Sequence, residues 1–247
     1  MAAARSSSRS RGKLNWLKVS GALIMALACL FILYQLWLFC MVVWYAHREP
    51  GSSAMMRQEL SRLRETDPKA ELKYTWVPYD KINRSLKQAV IASEDANFTE
   101  HEGVEWEAIR KAWEYNQRQE ERGGQRMRGG STITQQLAKN LFLSSSRSYV
   151  RKGQELILTF MIERVMPKER ILELYLNVAE WGVGVFGAEA AAQHYYGTSA
   201  ARLGSAQSAR LAAMLPNPRY YDRHRSTGYL NSRTATLQRR MRMVEIP

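Results

Sequence analysis

The sequence predicts a mainly α-helical protein tethered by one N-terminal membrane-spanning helix, and three features carry that prediction. The run from Val19 to Tyr45 holds no charged residue and exceeds the roughly 20 residues needed to cross a bilayer. Beyond it, apolar residues recur at helical spacing in segment after segment. Strand-like alternation is confined to a few residues after Leu72, and no internal repeat occurs.

Arg5, Arg9, Arg11, Lys13 and Lys18 precede the apolar run, which is too long for the core of a cleavable signal. It reads as an uncleaved anchor (19–45) behind a basic cytoplasmic tail (1–18), with everything after His47 delivered across the membrane. Trp16, Trp37, Trp44 and Tyr45 suit the interfaces. Cys29 and Cys40 both lie inside the anchor, so the exported part folds without disulfides. Residues 46–72, broken at Pro50-Gly51-Ser52-Ser53, read as a polar stalk before a domain over 73–247.

In that domain Leu72, Tyr74 and Trp76 alternate up to Pro78 and predict a short strand. Leu86, Val90 and Ile91 mark a helix over 82–93, and Ile109 with Trp113 a second over 104–115. The run 116–130, with Arg118, Arg122, Arg126 and Arg128 among glycines and acids, predicts a mobile loop. Ser131 fits the N-cap of a helix ending near Leu141, followed by helices over 150–166 and 168–176. Gly182, Gly184 and Gly187 mark a turn before helices over 188–196 and 206–215, and a basic helix carrying Arg233, Arg239, Arg240 and Arg242 comes last.

Lys and Arg number 36 against 23 Asp and Glu, a net charge of +13, which favours an anionic partner: nucleic acid, acidic membrane or phosphorylated substrate. Without the tail the charge is still about +8. Export beyond the anchor makes nucleic acid the wrong partner.

Three clusters offer chemistry. Glu94, Asp95, Phe98 and His101 sit between an apolar helix and Gly103, where a carboxylate at a helix end beside a cleft suits a general base. Clustered acids at a helix end are more often solvated or paired. In the second, Gly129 and Gly130 precede Ser131, Thr132, Gln135, Gln136 and Lys139, and a helix start of this kind can hold an anion. In the third, Arg147, Arg151, Lys152 and Glu155 include an i,i+4 pair whose plainest reading is a surface ion pair.

The order of these clusters resembles the family 51 glycosyltransferases, the peptidoglycan polymerases, in their monofunctional form. EDANFTEHEG (94–103) matches the family's first motif, GGSTITQQLAKN (129–140) its second, RKGQE (151–155) its third and KERILELYLN (168–177) its fourth. The glycine-rich stretch from Trp181 through Gly187, with Ala190, Ala191, Tyr195, Tyr196 and Gly197, resembles the fifth. Gln207 departs from the glutamate of many relatives.

The resemblance implies a lysozyme-like, two-lobed domain that polymerises lipid II onto a growing lipid-linked glycan strand at the cell inner membrane, with inversion and loss of a lipid pyrophosphate. It casts Glu94 as general base and Glu155 as a second catalytic glutamate. Lys139, Arg147, Arg151 and Lys152 become pyrophosphate ligands, Ser131, Thr132, Gln135 and Gln136 contacts to sugar or phosphate, and Asp95, Phe98 and His101 supports of the first motif. A divalent metal, Mg or Mn, is compatible with it, held by Glu94 or Glu155. Glu169, Arg170 and Asn177 read as scaffold.

The one Ser-x-x-Lys spacing, Ser10 to Lys13, lies in the tail, so no transpeptidase is expected. A glycan-cleaving enzyme is the nearest rival, and it has no need of several bases aimed at a pyrophosphate. A catalytically inactive scaffold that binds precursor and cell-wall synthesis or division proteins is the other. Trp106, Ile109 and Trp113 fit either a membrane-facing patch or the core.

Overall fold

The computed structural model describes residues 8–124, 129–146 and 148–247, which divide into two compact units, 1–44 and 45–247. The first is formed by helix α1 (Ser8–His47), which begins upstream of the expected Val19. Its segment Trp16–His47 has a mean hydropathy of 2.3 and leaves Leu23, Ile24, Leu27, Leu30 and Leu33 exposed, as a helix solvated by lipid does. It fits a single-pass anchor. Cys29 and Cys40 are free thiols on it.

The second unit is mainly helical, consistent with the lysozyme-like class. It contains α2 (Ala54–Arg64), α3 (Arg84–Glu94), α4 (Trp106–Glu121), α5 (Ile133–Phe142), α6 (Tyr149–Val165) and α7 (Lys168–Val178), followed by α8 (Ala188–Tyr196), α9 (Ser205–Met214), α10 (Pro218–Arg223) and α11 (Gly228–Arg240). Strands β1 (Lys73–Tyr74), β2 (Glu180–Gly182) and β3 (Val185–Phe186) form a small sheet in the order β1-β3-β2. β1 runs parallel to β3 with Lys73 opposite Val185, and β2 runs antiparallel to it.

Two helix groups position the site. In one, α5 buries Ile133, Leu137, Ala138 and Leu141 and packs on α2, α6 and α7. In the other, α3 buries Leu86, Val90 and Ile91 against α9 and α11. Each fully buried Leu or Ile contributes about 1.5–3 kcal/mol of transfer free energy, so both groups are held chiefly by this burial.

Several sequence expectations change. The stretch 46–72, read as a stalk, belongs to the compact unit: Ser53 caps α2, its Oγ accepting from Met56 N at 3.1 Å, and α2 buries Met56 and Glu59. The alternation after Leu72 yields strand only at Lys73–Tyr74. The loop expected from 116 is helix as far as Glu121, since Trp106 to Glu121 keeps an amphipathic helical pattern; Arg126 and Arg128 lie outside the described residues.

The N-cap of α5 is Thr132 rather than Ser131, because only Thr132 has a glutamine at the third following position to close a capping box. Gly130 is forced by close approach: a Cβ there would stand 2.9 Å from Ile109 Cα on α4. Gly187 combines φ +86° with a Cβ that would lie 2.8 Å from Asn177 O.

The fourth-motif residues Arg170 and Asn177 are scaffold. Asn177 pairs with both Val77 N and Val77 O at 2.9 Å, and Arg170 holds Glu173, Tyr45 O and Arg48 O. Gln207 completes a cap, accepting from Gly204 N at 2.9 Å. Trp106 and Trp113 are 65% and 60% exposed, which removes the core reading of that patch for the two tryptophans.

Candidate active site

Glu94 is the last residue of α3, so its side chain leaves the helix where the chain turns away. Its carboxylate is held from both sides. Gln136 Nε2 on α5 donates to Oε2 at 3.1 Å, and Ser93 Oγ lies 2.9 Å from Oε1. Tyr175 OH on α7 donates to Gln136 Oε1 at 3.0 Å, which fixes the amide so that its NH₂ faces the carboxylate. On the other flank Arg233 Nη2 on α11 donates to Ser93 Oγ at 3.0 Å, and Ser93 also lies 3.1 Å from Ala212 O on α9.

Dense packing pushes the Glu94 carboxyl above the ordinary glutamate range, while the two hydrogen bonds and the charge of Arg233 pull it back and Asp95 adds repulsion. The residue keeps partial exposure to solvent. The outcome is a carboxylate with enhanced proton affinity that a ligand can still reach, which is what a general base requires.

Asp95, Phe98 and His101 do not face the base. Asp95 is buried and accepts from Ile133 N at 2.9 Å, at the start of α5, where the helix dipole favours its charge. Its other oxygen is 2.8 Å from His101 Nε2, and Gly103 N donates to His101 Nδ1 at 3.1 Å, so the network puts the imidazole proton on Nε2. The first motif is thereby tied to the second. Phe98, expected beside the base, is fully buried, with its ring against His101 at 6.4 Å and under Lys168 Nζ at 4.7 Å.

The second motif divides between structure and site. Thr132 and Gln135 were expected to touch substrate, but both are buried: Thr132 Oγ1 donates to Gly103 O at 2.6 Å and Gln135 Oε1 accepts from Thr132 N at 3.1 Å. A capping box uses up those groups. Gln136 orients Glu94, as above, and Ser131 Oγ accepts from Lys152 Nζ at 3.2 Å.

Lys139, one turn further along α5, makes no described hydrogen bond. Burial lowers its proton affinity, Glu155 and Glu180 act to raise it, and Arg151 and Lys152 act to lower it. It is a desolvated cation among other cations.

The third motif opens α6, with Ser148 Oγ capping Arg151 N at 3.1 Å. Glu155 is buried, and its oxygens are taken by Arg151 Nη1 at 2.6 Å and by Lys152 Nζ. The i,i+4 pair is thus half-buried rather than a solvated surface bridge. Glu155 fixes two cations in place, which is a positioning role. Arg147 lies outside the described residues.

The donor set does not fit a divalent metal at either predicted ligand. Each Glu155 oxygen already meets a cationic donor, and Glu94 offers one carboxylate taken by neutral donors, whereas a hard cation gathers several free oxygens. Asp95, His101 and Glu105 bring ligand atoms within 4.8 Å of one another. There His101 Nδ1 accepts from Gly103 N, its Nε2 faces Asp95, and Asn97 Nδ2 donates to Glu105 Oε1 at 2.7 Å.

Two groups in this site were not anticipated as participants. Tyr175 stands on an apolar helix stripe, where its hydroxyl was the only signal. Arg233 is 140 residues from the serine it holds, with nothing local to mark it. Arg151 Nε and Arg233 Nε are buried without a described acceptor, an uncommon state for a guanidinium donor unless a ligand completes it.

Comparison with known proteins shows the family. A family model described as Transglycosylase matches residues 59–242. The chain is 81% identical over 235 residues to a biosynthetic peptidoglycan transglycosylase of Bordetella pertussis, covering 95% of this chain and 97% of that protein. It is 77% identical over 233 residues to the protein of that name from Bordetella avium, covering 94% and 97%. It is 59% identical over 225 residues to the one from Janthinobacterium sp., covering 91% and 96%. The chain therefore belongs to the transglycosylase family, as a peptidoglycan glycosyltransferase of the monofunctional type.

Proposed function

We propose that the protein polymerises lipid II into β-1,4-linked glycan strands, with inversion at the anomeric carbon and release of the polyprenyl pyrophosphate. Glu94 takes the proton from the acceptor sugar's 4-hydroxyl as that oxygen forms a bond to C1 of the donor. The bond from C1 to the pyrophosphate oxygen breaks on the opposite face, so an α-linked donor yields a β link in one displacement. Charge grows on the departing pyrophosphate, and Lys139, Arg151 and Lys152, joined by Arg147, are the groups to receive it. The unaccepted Nε donors of Arg151 and Arg233 add to that demand for oxygen atoms.

The observation that carries this reading is the pairing of a partly exposed, proton-hungry Glu94 with the desolvated Lys139 three positions beyond the Gln136 that tethers it. A polymer-cleaving enzyme needs the first and not the second. Fixed cations supply the leaving-group stabilisation, so no step runs through a divalent metal.

The anchor would place the N-terminus in the cytoplasm and the catalytic unit on the periplasmic side of the inner membrane. Trp106, Trp113, Tyr149 and Val150, all strongly exposed, suit contact with the membrane that holds the substrate. Cell-wall synthesis or division proteins are fitting partners.

The test is product analysis after incubation with purified lipid II in detergent, with and without chelator. Glycan strands with β-1,4 links and free polyprenyl pyrophosphate are expected in both conditions. Precursor binding without turnover would transfer support to the inactive-scaffold reading, and loss of turnover on chelation would return the metal to the mechanism.

A further inference from the structure

Beside the site, helices α2 and α10 build a second group of cations that the reaction above does not use. Glu59 on α2 is 1% exposed, a burial that costs several kcal/mol unless the charge is paired. Arg62 grips it with Nε at 2.8 Å and Nη2 at 2.6 Å, and Arg219 Nη2 reaches it at 2.7 Å. Arg219 in turn holds Glu180 on β2 with Nε at 2.7 Å and Nη2 at 3.1 Å.

Both guanidiniums are therefore braced from behind on the same two nitrogens. Nη1 of each makes none of the described bonds, and both residues line one open cavity of about 260 Å³. Arg223 and His224 line it too, and Arg223 is exposed with no described bond. Three arginines line the cavity, and no carboxylate is among its described lining residues. Val183 and Tyr220 supply an apolar wall, with the Tyr220 ring stacked on His224 at 4.2 Å.

We propose that Arg62, Arg219 and Arg223 form a carboxylate-binding subsite that receives the peptide arm of the disaccharide substrate. This rests on the polymerase reading, because that substrate carries a short peptide with free carboxylates and small apolar side chains. A braced guanidinium keeps its fork geometry and loses little further freedom on binding, the preorganisation a carboxylate site needs. The volume suits a carboxylate and an adjoining methyl group, not a sugar pair.

The experiment compares wild type and Arg223→Ala on lipid-linked disaccharide pentapeptide and on the same substrate with its peptide carboxylates amidated. Arg223 braces nothing, so the variant is expected to fold. KM for the free-carboxylate substrate should rise roughly three- to fivefold, the range for a solvent-accessible charge pair, and the amidated substrate should show no difference. Equal effects on both substrates, or on neither, overturn the subsite.

If wild type polymerises neither substrate, the polymerase reading fails by itself. Titration of the free pentapeptide into the full-length protein in detergent then decides the cavity: binding weakened by Arg223→Ala supports it, and binding indifferent to Arg223 overturns it.

Discussion

Gln136 Nε2 donates to Glu94 Oε2 at 3.1 Å while Tyr175 OH donates to the carbonyl oxygen of the same amide at 3.0 Å. One residue on α5 therefore transmits the orientation of a buried tyrosine on α7 to the Glu94 carboxylate on α3. Tyr175→Phe frees the amide to rotate and leaves its carbonyl oxygen without a donor. A loss of about 0.5–1.5 kcal/mol in stability and a fall in kcat of roughly three- to tenfold are expected. Denaturant melts and steady-state polymerisation measure the two, and an unchanged kcat would show that the amide needs no holding.

The pH dependence follows from the groups around Glu94. Burial raises its proton affinity and Arg233 opposes that rise, so Arg233→Ala should raise it further. The acid limb of the kcat/KM profile is then expected at higher pH in the variant than in wild type. Coincident acid limbs would remove Arg233 from the electrostatics of the base and leave it a purely structural contact with Ser93.

Glu155 separates Arg151 and Lys152 from their own repulsion. Glu155→Gln leaves those cations and Lys139 crowded, with an expected loss of about 2–4 kcal/mol, because removing one partner of a buried pair strands the other. Added pyrophosphate should then raise Tm more in the variant than in wild type, since the anion replaces the missing charge. An equal or smaller rise would show that Glu155 does not lie among the phosphate cations.

Lys139 presents the opposite balance. Its folded-state proton affinity lies below that of a free lysine, so the folded protein holds this proton less tightly than the unfolded chain does. Its contribution to stability therefore increases as pH rises from below the folded pKa towards 10.5, the ordinary lysine value. Lys139→Met should keep or raise Tm at neutral pH while lowering kcat by about 10²–10³, the scale for losing one preorganised stabilising group. A variant that loses stability and keeps activity would make Lys139 a scaffold residue.

Much of this was legible in the sequence because it is local. The anchor, the helices carrying the motifs and the position of Glu94 at a helix end each follow from runs of a dozen residues or fewer, or from one uncharged stretch. What escaped depends on residues distant in the chain. Arg233 reaches Ser93 across 140 positions, and the buried Glu59 is met by Arg219 from across the fold as well as by its neighbour Arg62. The capping box of Thr132 and Gln135 escaped for a different reason: polar residues after paired glycines serve a capping box as well as a ligand, and only burial separates the two.

The central claim is that Glu94 is the base, and the direct measurement is polymerisation of purified lipid II by wild type and Glu94→Gln, with Tm recorded for both. Wild type should make long strands and the variant fewer by about 10²–10⁴, the range for a lost general base. Because Glu94 binds its proton more tightly folded than unfolded, its ionisation weakens the fold as pH rises through its folded pKa. Glutamine removes that cost, so Tm at neutral pH should hold or rise. A Glu94→Gln protein with intact Tm and undiminished strand synthesis would contradict the assignment.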